Sequence, residues 1–257
     1  MFKRLLIVVL ALLASIASAA HADRRYFVQS YTPYLSAAGD LDLEFHSIAR
    51  SGQGDSTGTA WDNRVEFEYG ITDRLTGAAY LNFVQASGVD SPMMFDGPSL
   101  EFIYQLVPPG KWPVDPAAYL EVRANGSEIE MEPKLLLGRR IYKLVTVMNV
   151  IGEFEHHTAG AEKNTTEKNL HLTAGASREI GHQVAIGLEA VYTHEFLDHG
   201  PDATRLLLGP TVNLQADKVQ LALGWHPQVS GSPTSSGGLN LADFPRSEVR
   251  LIVGVEL

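Results

Sequence analysis

Glu153 and Glu155, His171 and Glu195 fall on three consecutive alternating segments of the chain, with His157 just beyond the first and His226 at the top of a later one. Two carboxylates and an imidazole form a donor set for a divalent cation, or a base that activates water. On neighbouring strands about 4.8 Å apart, Glu155, His171 and Glu195 could converge, which makes them the candidate metal site. Against that reading, histidines commonly occur as polar residues of rims and loops, and no short catalytic motif accompanies this set.

A serine hydrolase would need Ser, His and a polar third member within hydrogen-bonding reach. Ser177 and His171 share a face but stand six residues apart, roughly 20 Å along a strand. An aspartyl-type site would need facing Asp pairs, whereas Asp198, His199 and Asp202 occupy one loop. The chain is therefore expected not to be an enzyme.

The larger polar set consists of Glu66, Glu68, Glu101, Glu121, Arg123, Glu132, Lys134, Asn149 and Glu189, which share the polar face of their segments. On that face carboxylates outnumber basic groups by roughly two to one, and rings of Glu set the field in cation-selective pores. One reading is a narrow channel that prefers cations or polar solutes. The other pairs Glu66, Glu68, Glu121 and Glu132 with Arg64, Arg123 and Lys134, giving a closed, hydrogen-bonded interior, since buried charges must be paired.

Positioning these residues falls to segments that alternate strictly between apolar and polar. Val65, Phe67 and Tyr69 interleave with Arg64, Glu66 and Glu68, and Val249, Leu251, Val253 and Val255 with Glu248, Arg250 and Glu256. A period of two is that of a strand with one face in an apolar medium and one in water. Strands are expected at 41–50, 60–70, 74–87, 98–106, 116–124, 129–140, 143–156, 167–180, 183–196, 204–215, 218–227 and 246–257.

Short turns such as 70–73, 140–142, 181–182 and 216–217, with the Pro-stiffened 107–113, take turns with loops rich in Gly, Ser, Thr, Asp and Asn at 51–59, 88–97, 157–166, 197–203 and 228–245. Outer-membrane barrels pair short periplasmic turns with longer external loops and have even strand numbers. Twelve strands satisfy the parity. Residues 25–35 would make a thirteenth starting on the wrong side, and Pro33 cannot donate to a central ladder. Residues 23–40 are accordingly expected not to span, with the aromatic stretch at the periplasmic rim or folded into the lumen, and 228–245 to be a mobile external loop.

A soluble periplasmic sandwich or closed barrel also alternates, with its faces reversed. Charges at successive inward positions favour a wet lumen, and Trp61, Tyr69, Phe102, Tyr104, Phe154, Tyr192 and Trp225 recur near segment ends as interfacial girdles do. The fold expected is an all-β, antiparallel up-and-down transmembrane barrel of twelve strands over residues 41–257.

Lys3 and Arg4, the apolar run 5–17 and Ala20-His21-Ala22 make residues 1–22 a signal peptide, cleaved before Asp23. The run is shorter than the roughly 20 residues of a spanning helix. With 20 basic and 30 acidic residues in the chain and two of the basic ones in the leader, the mature charge is 18 − 30 = −12, which argues against nucleic acid as a partner. The chain has no cysteine, which removes disulfide-stapled folds and thiolate metal sites.

The stretch from Gly39 to Glu44, the run from Glu66 to Leu75 and Gly209-Pro210 resemble the small Gram-negative outer-membrane barrels. Among these the chain is most similar to the transporters grouped with the MetA-type phenol-degradation proteins. The resemblance covers most of the mature chain in layout and rests on short motifs. It implies an outer-membrane location, passage of a small, often hydrophobic, solute, and contact with membrane lipid, lipopolysaccharide and the barrel-assembly machinery. The chain departs from the pattern in ending on Leu257, where such barrels commonly end in Phe. No cofactor is expected beyond a divalent cation at the candidate metal site.

Overall fold

A computed structural model describes residues 24–54, 58–88, 91–160, 164–197 and 200–257. The leader, with its cleavage position, and Asp198 and His199 lie outside the described residues. Strands β1 (Leu41–Ser51), β2 (Thr59–Thr72), β3 (Leu75–Gln85), β4 (Met94–Gln105), β5 (Asp115–Ala124), β6 (Glu128–Ile141), β7 (Leu144–His157), β8 (Thr166–Ile180), β9 (Val184–Phe196), β10 (Ala203–Ala216), β11 (Val219–Ser232) and β12 (Ser247–Glu256) each pair with their sequence neighbours. Pairing of β1 with β12, from Asp42 with Glu256 to Ser51 with Ser247, closes the ring. The fold is the expected twelve-stranded antiparallel barrel.

Which face is apolar distinguishes a membrane barrel from a soluble one. Phe67 and Tyr69 on β2 point outward, 46% and 48% exposed, while Glu66 and Glu68 beside them are buried. Around the ring, Phe45, Leu100, Phe102, Met131, Met148, Leu188 and Trp225 lie on the exposed face, and Glu101, Glu121, Glu189 and Glu248 are enclosed. A soluble barrel has the opposite arrangement. Apolar side chains outside and charged ones inside suit strands that meet hydrocarbon.

Residues 73–74, 106–114, 142–143, 181–183 and 217–218 connect strands at one end. Two of these turns open on a left-handed residue, Tyr142 at φ 54° and Asp217 at φ 49°. The longer connections lie at the other end, apart from the nine-residue 106–114, and that end has one short connection. Residues 125–127 form a tight turn between β5 and β6, where the Asn125 side chain accepts the N–H groups of Ser127 at 2.9 Å and Glu128 at 3.0 Å.

The segment expected as one external loop, 228–245, divides in two. Its first residues, through Ser232, extend β11, and within 233–246 Leu241 and Phe244 are buried.

Residues 24–38 form no strand. They enter the lumen at the short-turn end, where Arg24 Nη1 donates to the His182 carbonyl at 3.3 Å. Gln29 reaches Glu248, one residue into β12 from the long-loop end, at 3.2 Å. The chain then returns, and the Tyr34 hydroxyl donates to Asp115 at 3.1 Å at the start of β5. The segment is a U-shaped plug.

Candidate functional site

The plug crosses the short-turn half of the lumen, with a cavity of about 1060 Å³ beside its arms at the short-turn end and one of about 390 Å³ above it. Wall side chains hold the plug by its backbone. Glu189 on β9 accepts the N–H groups of Val28, Gln29 and Ser30 at 2.9, 3.1 and 2.8 Å. Asn149 on β7 accepts the Tyr31 N–H at 2.7 Å and donates to the Tyr31 carbonyl at 3.0 Å, replacing a strand partner. An enclosed carboxylate is costly unless hydrogen-bonded, and buried backbone N–H groups need acceptors. Each satisfies the other, through charge-assisted bonds.

Arg25 anchors the entering arm, with Nη2 at 2.9 Å from Glu44, 3.5 Å from Glu66 and 3.6 Å from Glu68. The two arms carry phenols whose pKa is raised: burial, then the Glu179 carboxylate, raises Tyr26, and burial, then Asp115, raises Tyr34. The wall makes room by lacking side chains. A Cβ at Gly175 would lie 2.6 Å from the Phe27 ring, and one at Gly224 would run into Val28.

Of the nine luminal residues singled out in the sequence, Glu66, Glu68, Glu101, Glu121, Lys134, Asn149 and Glu189 are buried, and Arg123 and Glu132 line the cavity. Their partners divide them further. Glu66, Glu68, Asn149 and Glu189 grip the plug. Glu101 and Glu121 lie 2.7 and 2.8 Å from the Tyr119 hydroxyl, and Arg64 reaches Glu121 at 3.5 Å. Lys134 sits 2.6 Å from Glu132 and 3.8 Å from the centre of the Tyr119 ring. Glu121 and Glu132 thus take the basic partners expected of a closed interior, whereas Glu66 and Glu68 take Arg25, which the sequence placed outside the barrel wall.

The acidic lumen read from residue counts is corrected at the cavity surface. Seven basic side chains line the cavity against five carboxylates, because Glu44, Glu66, Glu101, Glu121, Glu189 and Glu248 are sealed behind it. Arg50, Arg205 and Arg250 are three of the seven and gather around Glu248. The alternation held these residues too; what it lacked was which member of each ion pair faces the open space.

The set Glu155, His171 and Glu195 does not converge, because register places the three in different rows. Glu195 pairs across Asn169 with Glu153, while His171 lies level with Ile151 and Thr193. His171 accordingly sits 3.5 Å from Glu153, and Glu155 joins Glu128 and His157 at the rim. A tighter carboxylate–imidazole group, Glu44, His46 and Glu66, has Arg25 beside both carboxylates in the place of a cation.

Similar barrels are found among solved structures. The COG4313 outer membrane channel from Pseudomonas putida F1 superposes with a TM-score of 0.62 at 11% identity, covering 93% of this chain and 100% of that one. The NanC porin gives 0.54 at 13%, covering 84% and 98%. The KdgM porin, in complex with disordered oligogalacturonate, gives 0.55 at 9%, covering 84% and 99%. At these identities the likeness is one of fold. No curated protein matches the chain. A family described as "Family of unknown function (DUF6662)" matches residues 19–257, and the chain belongs to it.

Proposed function

We propose that the barrel resides in the outer membrane and passes a small polar solute when the N-terminal plug shifts, with no enzymatic role. The observation that carries this reading is that the obstruction is separable from the wall. Residues 24–38 add no strand to a ring that closes without them, and side chains hold them there. The likeness to an outer membrane channel and to porins supports passage, and the charged side chains that line the cavity support a polar solute. The outward apolar face suits membrane lipid and lipopolysaccharide, delivery by the barrel-assembly machinery follows from that location, and residues 1–22 read as a leader fit it.

Planar-bilayer recordings test the reading on the mature chain and on a variant lacking residues 24–36. Brief, infrequent openings are expected from the first and a steady, larger current from the second. A truncated barrel that keeps its heat-modifiable gel band and passes no current would overturn it.

A further inference from the structure

Two charge clusters face each other across the cavity, and each inverts the other. On one wall the fully enclosed Glu248 of β12 gathers three guanidiniums: Arg205 of β10 at 2.8 Å, and Arg50 of β1 and Arg250 of β12 at 3.5 Å. Asp62 of β2 is a second carboxylate there, paired with Arg50. On the other wall Arg123 of β5 gathers three carboxylates, Asp96 of β4 and Glu128 and Glu130 of β6, with Glu128 at 3.0 Å. Within these ion pairs guanidiniums outnumber carboxylates three to two on the first wall, and carboxylates outnumber the guanidinium three to one on the second. In a ring of twelve, β12 stands opposite β6.

Each cluster thus carries an excess of one sign within its own ion pairs, and charge in an enclosed site is costly unless it is paired. Both remain open to the shared cavity: Arg50 and Arg250 are 31% and 25% exposed, Asp96 19%. A simple anion would answer one wall and a simple cation the other. A molecule with both charges answers both, and its dipole lies along the field between the walls. Opposite backbones of a twelve-stranded barrel are about 24 Å apart. Long side chains reach in from each wall, leaving a gap on the order of 10 Å.

We propose that the outer lumen binds a small zwitterion, an amino-carboxylic acid. Its carboxylate lies on the guanidiniums of Arg50, Arg205 and Arg250, which match it geometrically. Its ammonium group lies toward Asp96 and Glu130. This deepens the solute-passing reading by naming the class of solute, and it rests on that reading for entry from outside.

Titration calorimetry on the intact, detergent-solubilised barrel tests it with ε-aminocaproate as the zwitterion and caproate and hexylamine as single-charge controls. ε-Aminocaproate is expected to bind at least about tenfold more tightly than either control, a difference of about 1.4 kcal/mol. Arg250→Gln should weaken ε-aminocaproate and caproate but spare hexylamine. Glu130→Gln should weaken ε-aminocaproate and hexylamine but spare caproate. Arg50→Gln replaces Arg250→Gln if the latter loses the folded gel band. Equal binding of all three ligands, binding of none, or indifference to both substitutions would overturn the proposal. Zwitterion binding by a barrel that passes no current would leave it standing while removing the passage reading. Current without the binding preference would do the reverse.

Discussion

Gln29 Nε2 donates to Glu248 Oε2 across 3.2 Å, joining the apex of the plug to the carboxylate that gathers Arg50, Arg205 and Arg250. One side chain thus links the obstruction to the basic wall above it. Gln29→Leu keeps the bulk and deletes the bond, and a hydrogen bond to a charged group contributes about 1.5–3 kcal/mol. The variant is expected to open at least about tenfold more often in bilayer recordings. Opening statistics equal to those of the parent would show that the apex is not an anchor.

Glu189→Gln should loosen the plug further. The carboxylate serves three consecutive N–H groups, Val28 to Ser30, from a fully enclosed position. A neutral amide offers one acceptor oxygen, so at least one buried donor is left without a partner, at a cost of about 1–3 kcal/mol. The measurable result is faster tryptic cleavage after Arg24 and Arg25, with the strands still protected. An unchanged cleavage rate would mean that the plug is held elsewhere.

Gly175→Leu tests the same contact from the wall. The new Cβ would lie 2.6 Å from the Phe27 ring, and the plug must yield because the β8 backbone is paired on both sides. Raised conductance and faster cleavage at Arg25 are expected. Gly126→Ala, at a position where a Cβ meets nothing within 4 Å, serves as the control and should match the parent. If the two variants behave alike, the close approach of plug and wall has no consequence.

The strands were legible because alternation acts residue by residue, and Phe67, Glu68 and Tyr69 declare their faces without help from neighbours. The metal set failed because convergence depends on register between strands. A shift of two residues puts Glu153, rather than Glu155, in the row of Glu195. The basic cavity was hidden for a related reason: a count of luminal charges treats Glu248 and Arg250 alike, although the first is sealed and the second is open. The glycines of the wall carry one further signal of the plug. Inward positions at Gly138, Gly175 and Gly224 leave wall space that the barrel itself does not need, and the structure places Pro33, Phe27 and Val28 against them.

Residues 233–246 lie over the basic cluster, and the Gln228 side chain is one of their anchors, beside Gln53, which donates to the Asp243 carbonyl at 2.8 Å, and Gly54, whose N–H donates to the Leu241 carbonyl at 2.6 Å. Gln228 Nε2 donates to the carbonyls of Asn240 at 3.2 Å and Pro245 at 3.4 Å, and its Oε1 accepts the Asn240 N–H at 2.7 Å. Phe244, carried by that loop, places its ring 5.0 Å from the Arg205 guanidinium carbon. Gln228→Leu strands three buried polar groups and favours release of the loop, which opens the path from outside to Arg205. Because the chain has no cysteine, a single reporter measures this cleanly. Thr193→Cys places a thiol beneath Arg205, whose Nε lies 3.3 Å from the Thr193 hydroxyl. A charged thiosulfonate added from outside should label that thiol at least about tenfold faster in the Gln228→Leu background, matching the loss of about 1.4 kcal/mol or more of loop anchoring. Equal labelling rates in the two backgrounds would show that the loop does not control entry, and would leave the plug as the element that decides passage.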